Sequence, residues 1–269
     1  MAGLGQALRS ALIGVAFLLA LTGGAFAQLD FDTSAPYAVL VDHESGTVLF
    51  QKEADTPIEP ASMAKLMTVA VVLDMIDRGA LDLSDQFFIS EHAWRTGGAP
   101  SGGSTMFAEL GSQISVDDLL HSVIIQSGND AAIALAEGIA GSEAAFAAIM
   151  NEFALDIGLE SSHFTNASGL PDPDMRVTAR DLANLARYII REFPDYYPVF
   201  SVEQFTWNGI NQSNRNGLLD LGIGVDGLKT GHTESAGYGI VVSTTEGGRR
   251  LVGVLHGMDS VNQRNEEAR

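Results

Sequence analysis

With 269 residues, 46% of them hydrophobic and 18% charged, the chain can bury a large core, which excludes wholesale disorder. A formal net charge of −19 excludes a nucleic-acid binder, because neutralising phosphates needs clustered Lys and Arg. The absence of cysteine excludes disulfides, a thiolate nucleophile and a thiolate metal site.

The chain opens on Arg9, the apolar run 11–21 and a small-residue stretch ending Ala25-Phe26-Ala27. That order reads as a secretory signal over residues 1–27, with the domain of interest over 28–269. The run is short for a spanning helix, which needs about 20 apolar residues. Residues 37–54 show two apolar runs around Glu44, Ser45 and Gly46, a β-hairpin with a glycine turn. A proline-punctuated loop over 57–62 follows. From Ser62 to Arg78, Met63, Leu66, Met67, Ala70, Leu73 and Ile76 recur at helical spacing, and Gly79 closes the helix.

Residues 95–104 read as a glycine-rich loop without periodicity. Helices are expected over 115–126, with Ser115 as N-cap, over 131–140, over 142–158 from Ser142 to Gly158, and over 178–193, stopped by Pro194. Residues 127–130 interrupt the second and third. The end reads as strands: 227–231, 238–246 and 249–258, the last two joined by Gly247 and Gly248. Strands at both ends with helices between predict an α+β fold whose terminal strands share one mainly antiparallel sheet against a helical cluster.

Three short motifs carry chemistry. Ser62 and Lys65 stand three apart, close to one face of a helix. A serine hydroxyl needs a base, and a lysine serves if burial or a nearby cation lowers its pKa. By itself the pair recurs by chance. Ser127-Gly128-Asn129 is a polar break between helices. Lys229-Thr230-Gly231 opens an apolar strand, where a lone lysine usually guards an edge. The ordered set matches the pattern of penicillin-binding proteins and class A β-lactamases, whose middle element is serine-aspartate-asparagine.

With these motifs the chain resembles the low-molecular-mass penicillin-binding proteins that are serine-type D-alanyl-D-alanine carboxypeptidases. The resemblance runs from about Tyr37 to the end and includes EPASMAKLMT, 93–107, 124–137, NRNGLL at 214–219 and VDGLKTGHTESAGYG at 225–239. It implies a β-lactamase/transpeptidase-like fold and assigns roles. Ser62 would form the acyl-enzyme, Lys65 would take its proton, and Ser127 would relay a proton to the leaving amine. Asn129 would bind a substrate amide, Lys229 would add positive potential, and Thr230 would hold the terminal carboxylate. Gly231 would give a pairing substrate strand room. His232 would supply a main-chain N–H to an oxyanion hole with Ser62, and Arg215 and Arg264 would face the carboxylate. His163 reads as packed or hydrogen-bonded.

The resemblance further implies an exported, periplasmic enzyme at the outer face of the inner membrane, with peptidoglycan stem peptides as substrates and β-lactams as covalent inhibitors. No cofactor or metal is expected. Ser168 departs from the family's usual histidine in NASGL. Residues 262–269 read as the start of a closing helix, whereas many relatives continue into a β-rich domain and a membrane-associating C-terminal helix. A D,D-endopeptidase, a serine β-lactamase and a non-catalytic β-lactam sensor or cell-wall binding module stay open as alternatives.

Overall fold

The structure is a computed structural model that describes residues 31–269; the expected signal at 1–27 lies outside the described residues. Residues Thr33–Arg269 form one unit. In chain order it contains β1 (Tyr37–Asp42), β2 (Val48–Lys52), α1 (Lys65–Asp77), β3 (Gln86–Phe88), β4 (Gln113–Ser115), α2 (Val116–Ile125), α3 (Asn129–Ala140), α4 (Glu143–Asp156) and α5 (Ala179–Glu192). There follow β5 (Gln204–Trp207), β6 (Ile210–Ser213), β7 (Val225–Thr233), β8 (Gly237–Glu246), β9 (Arg249–Met258) and α6 (Val261–Glu267).

The expected α+β class holds. One antiparallel sheet runs β2-β1-β9-β8-β7, so the first and last strands of the fold lie side by side. The β8–β9 turn is Gly247-Gly248, both at positive φ, which suits a two-residue hairpin. β7 is one edge strand, with β8 on one side and, among the described residues, no strand on the other. α5 lies against β1 and β9 with Leu182, Leu185, Ala186 and Ile189 buried. A second, smaller apolar cluster includes Ala38, Ile240, Val242, Leu255 and Met258, with Ala268 packed on it.

The expected N-caps Ser115 and Ser142 hold, and Thr178 caps α5 in the same way. Ser115, Ser142 and Thr178 each accept a hydrogen bond from a main-chain N–H three residues on. The helix expected from Ser62 is different: residues Ala61–Ala64 form a 3₁₀ turn, and α1 begins at Lys65. Every residue from Lys65 to Leu73 is buried, so α1 is a central helix apolar on all sides rather than a striped one. The 95–104 loop also differs. One wide turn at Ala93–Gly97 runs into it, and a 3₁₀ turn at Ala99–Ser101 lies within it. Gly97 makes that turn possible: a Cβ there would sit 2.3 Å from the Asp130 nitrogen. Among the described residues no single helix is long and apolar enough to cross a membrane.

The start of β7 is fixed by a polar cluster. Asp226 accepts from Arg250 (Nη1 2.8 Å, Nη2 2.6 Å) and from the Tyr197 hydroxyl (2.8 Å), while Asn216 Nδ2 donates to the Gly227 carbonyl at 2.9 Å. Asp226→Ala removes the shared acceptor and strands a partly buried guanidinium. It is expected to cost about 2 kcal/mol, read as a lower midpoint in urea unfolding.

Candidate active site

The 3₁₀ turn holding Ser62 is pressed between two backbones. On one side lies β7: a Cβ on Gly231 would stand 2.9 Å from the Pro60 carbonyl oxygen and 3.2 Å from the Met63 nitrogen. On the other lies the loop of residues 166–169: Gly169, at φ +74°, approaches so closely that a Cβ would fall 2.0 Å from the Ala61 carbonyl oxygen. Ala61 itself sits at φ +49°. The turn therefore has little freedom, and it leaves Ser62 half-buried on a cleft wall.

Lys65, the first residue of α1, is fully buried. Its Nζ lies 3.1 Å from Ser62 Oγ and donates to Asn129 Oδ1 at 2.6 Å and to the Ser168 carbonyl. Two of these three partners can only accept. A neutral amine has two N–H bonds and one lone pair, so its lone pair must face the Ser62 hydroxyl. Burial pulls the Lys65 pKa down to about 7, against the opposing pull of Asp130 and Glu143. Lys229, also buried, donates from Nζ to the Thr230 carbonyl at 3.0 Å. Its pKa lies well below the ordinary lysine value, through burial first and then the charges of Lys65, Arg215 and Arg264.

Ser127 occupies the break between α2 and α3 at φ +66°. Its Oγ is buried without a hydrogen-bond partner among the described residues, and the residue lines the same cleft as Ser62. An unpaired buried hydroxyl on a cleft wall is a costly feature with an obvious use for an incoming ligand. Gly128 has to be glycine here, since a Cβ would lie 2.2 Å from Ser122 Oγ. Asn129 opens α3, its N–H donating to the Ser104 carbonyl at 2.8 Å. With Oδ1 taken by Lys65, its Nδ2 is the group left to donate.

The cleft has a volume of about 620 Å³, and its lining includes Ser62, Ser127, Thr230, Gly231, Arg215 and Arg264. Arg215 is exposed, with Nε 3.4 Å from the Gln126 carbonyl. Arg264 on α6 is buried. Its Nη2 donates to the Arg215 carbonyl (3.3 Å) and to Asn265 Oδ1 (2.9 Å), and burial lowers its pKa. In a chain of charge −19, two lysines and two arginines gathered at one cleft make a site for an anion.

His232 also lines the cleft, but its ring is exposed and stacks on Tyr238, centroids 3.8 Å apart. Among the described residues no hydrogen bond joins its imidazole to Ser62. All ten residues singled out in the sequence thus cluster at one place. Seven of them line the cleft, while Lys65, Asn129 and Lys229 stand behind that surface.

The missing side chain of Gly231 makes room for the Pro60–Met63 turn on one face of β7. His163 is exposed and pairs with Arg176 only through its main chain. Ser168 replaces the expected histidine without loss at Lys65, since the contact comes from its carbonyl.

Two residues escaped the sequence reading. Asp130 is fully buried and accepts from Thr105 Oγ1 (2.6 Å) and from the N–H groups of Met106 (2.9 Å) and Ala108 (3.2 Å), fixing the segment beside Ser104. An acid inside an otherwise apolar helical run was the available signal. Glu143 was legible only as a first-turn acid of α4.

Comparison with known proteins agrees with this geometry. A family model described as "D-alanyl-D-alanine carboxypeptidase", Peptidase_S11, matches residues 25–260. The chain is 40% identical over 233 residues to D-alanyl-D-alanine carboxypeptidase DacA of Escherichia coli (strain K12), covering 86% of this chain and 58% of that protein. It is 42% identical over 257 residues to DacC of the same organism, covering 93% and 64%. It thus spans about three-fifths of the length of these relatives. The structure superposes on penicillin binding protein 5 from Haemophilus influenzae with a TM-score of 0.85 at 41% identity, covering 88% of this chain and 69% of that one. Against penicillin-binding protein D2 from Listeria monocytogenes in its ampicillin-bound form the TM-score is 0.76 at 28% identity, covering 88% and 95%. Fold, motif order and sequence agree, and the chain belongs to the D-alanyl-D-alanine carboxypeptidase family, peptidase S11.

Proposed function

We propose that this protein hydrolyses the terminal D-alanyl-D-alanine bond of peptidoglycan stem peptides through an acyl-enzyme on Ser62. The observation that carries this reading is the set of three contacts at Lys65 Nζ, which in the neutral amine leaves the lone pair facing the Ser62 hydroxyl. Ser62 Oγ attacks the carbonyl carbon of the penultimate D-alanine while its proton passes to Lys65. The N–H groups of Ser62 and His232 take the developing oxyanion. The carbon–nitrogen bond then breaks, and the departing amine receives its proton by way of Ser127. Water attacks the ester, returns the serine proton and releases the shortened peptide.

The other groups hold the substrate. Its free carboxylate meets Thr230, Arg215 and Arg264, with Lys229 adding positive potential behind them. Its backbone pairs with the unpaired edge of β7, and Asn129 Nδ2 donates to an amide carbonyl. β-Lactams acylate the same serine as mimics of the terminal dipeptide; the ampicillin-bound relative supports this. The loop beside the nucleophile presents a carbonyl and a hydroxyl from Ser168, not a carboxylate, which favours a long-lived β-lactam adduct over β-lactamase turnover. The apolar run and small-residue stretch read in the sequence at 1–27, with the cell-wall enzymes among its relatives, support export and a periplasmic place at the outer face of the inner membrane.

The test is release of free D-alanine from a diacetyl-lysyl-D-alanyl-D-alanine peptide, together with the mass of the protein after exposure to penicillin. D-Alanine release and one adduct on the peptide holding Ser62 are expected. A protein that releases none and gains no adduct would end this reading.

A further inference from the structure

Glu143 lies outside the cleft, yet it touches the loop that holds Lys65 and the segment that packs behind its other acceptor. It is the first residue of α4, and its side chain is 16% exposed. Oε1 accepts from the Ala167 N–H at 3.2 Å, and Oε2 lies 3.1 Å from His92 Nε2. The residue after Ala167 is Ser168, whose carbonyl accepts from Lys65. The Ala167 carbonyl takes the Thr68 hydroxyl at 2.7 Å, so the loop is tied to α1 by carbonyls and to α4 by the carboxylate. His92 immediately precedes the wide turn Ala93–Gly97, which packs on the backbone of Asn129 and Asp130. Asn129 is the other acceptor of Lys65.

We propose that Glu143 is a positioning residue for the Ser62–Lys65 couple: with His92 it clips together the two backbone segments that support the acceptors of Lys65. The inference rests on the reading of Lys65 as the acylation base. The Glu143 charge also reaches the Lys65 amine. Asp130 and Glu143 are the two carboxylates that favour its protonated form. Lys229 on β7 is itself held low by burial and by the charges of Lys65, Arg215 and Arg264. Asp130 is engaged by the Thr105 hydroxyl and three main-chain N–H groups. Glu143 has one main-chain donor and a half-exposed histidine, so its charge is the one the surroundings can modulate. A plain helix-terminus acid would satisfy its own helix and leave the chemistry at Ser62 indifferent.

The test is the rate of Ser62 acylation by a fluorescent penicillin from pH 5 to 9, with melting temperatures measured alongside. Glu143→Gln keeps an acceptor for the Ala167 N–H and loses the charge. Its rising limb is expected to move about half a pH unit to acid, with the plateau lowered about threefold or less. Glu143→Ala also frees the loop, and its plateau is expected to fall about tenfold. His92→Gln, which retains a donor, should stay near the wild-type plateau. A limb that stays put in Glu143→Gln overturns the proposal, even if Glu143→Ala is too unstable to assay. Wild-type protein that labels elsewhere than Ser62, or shows no rising limb, would instead overturn the underlying reading of Lys65.

Discussion

Lys65→Ala is expected to slow acylation of Ser62 by about 10³-fold or more, and Lys65→Arg to do the same while keeping the positive charge. The pair separates proton transfer from electrostatics. An arginine cannot give up its proton at any working pH, so it cannot accept one from serine. If Lys65 only supplied positive potential, the arginine variant would retain most of the rate. The wild-type rate carries its own signature. Burial lowers the Lys65 pKa to about 7, so the neutral, competent form grows as pH rises through that value. Acylation should therefore rise about tenfold per pH unit below the limb and level off above it. Both variants should lack this limb. Stopped-flow labelling with a fluorescent penicillin reads all three proteins, with Ser62→Ala as the unlabelled control. An arginine variant at the wild-type rate, or a wild-type profile flat from pH 5 to 8, would remove Lys65 from the role of base.

Much of this was legible before the structure because it depends on local chemistry. An N-cap is a side chain bonding to a backbone three residues away, and Ser115 and Ser142 both satisfy it. The sheet was legible at its long strands but not at its short ribbons. β3 and β4 have three residues each and β5 and β6 four, too few for an alternation to register. The β5–β6 hairpin did carry a signal: Asn208-Gly209, both at positive φ, is a favoured two-residue turn between apolar residues. α1 misled for a physical reason. A helix buried on all sides has no polar face, so choosing one stripe of its apolar residues selects a periodicity that the packing does not use.

The site was legible as residue types in order, but its supports were not. Asp130, Glu143 and the Asp226–Arg250 pair take their meaning from partners distant in sequence or from backbone groups, and no spacing reveals them. The direction of Gly231 is a similar case. Which face of β7 meets the Ser62 turn is settled by how the sheet edge docks on the helices, so the glycine's function could be assigned only once Pro60 and Met63 were in place.

The same docking makes Gly169 the most sensitive position of the loop. Gly169→Ala is expected to destabilise the protein by about 2–4 kcal/mol, combining left-handed strain with overpacking. At φ +74° an L side chain is disfavoured even in open space. Here the added carbon would also meet a main-chain carbonyl at 2.0 Å, and no rotamer relieves a Cβ clash. Relief must come from backbone movement, of either the loop or the Ala61–Ala64 turn. The loop carries the Ser168 carbonyl that holds Lys65, and the turn carries Ser62, so either route disturbs the couple. Differential scanning calorimetry should show a fall in Tm of about 5–15 °C for a domain of this size. Penicillin acylation at a temperature where the variant is still folded should fall about tenfold or more, since a displacement near 1 Å has that scale of effect on a reacting pair. Gly79→Ala is the control: it has a similar positive φ but open space around it, so it should show only the backbone cost and leave acylation unchanged. Equal losses in both variants would mean that the contact with Ala61 does not constrain the turn, and that Ser62 is held in register by β7 alone.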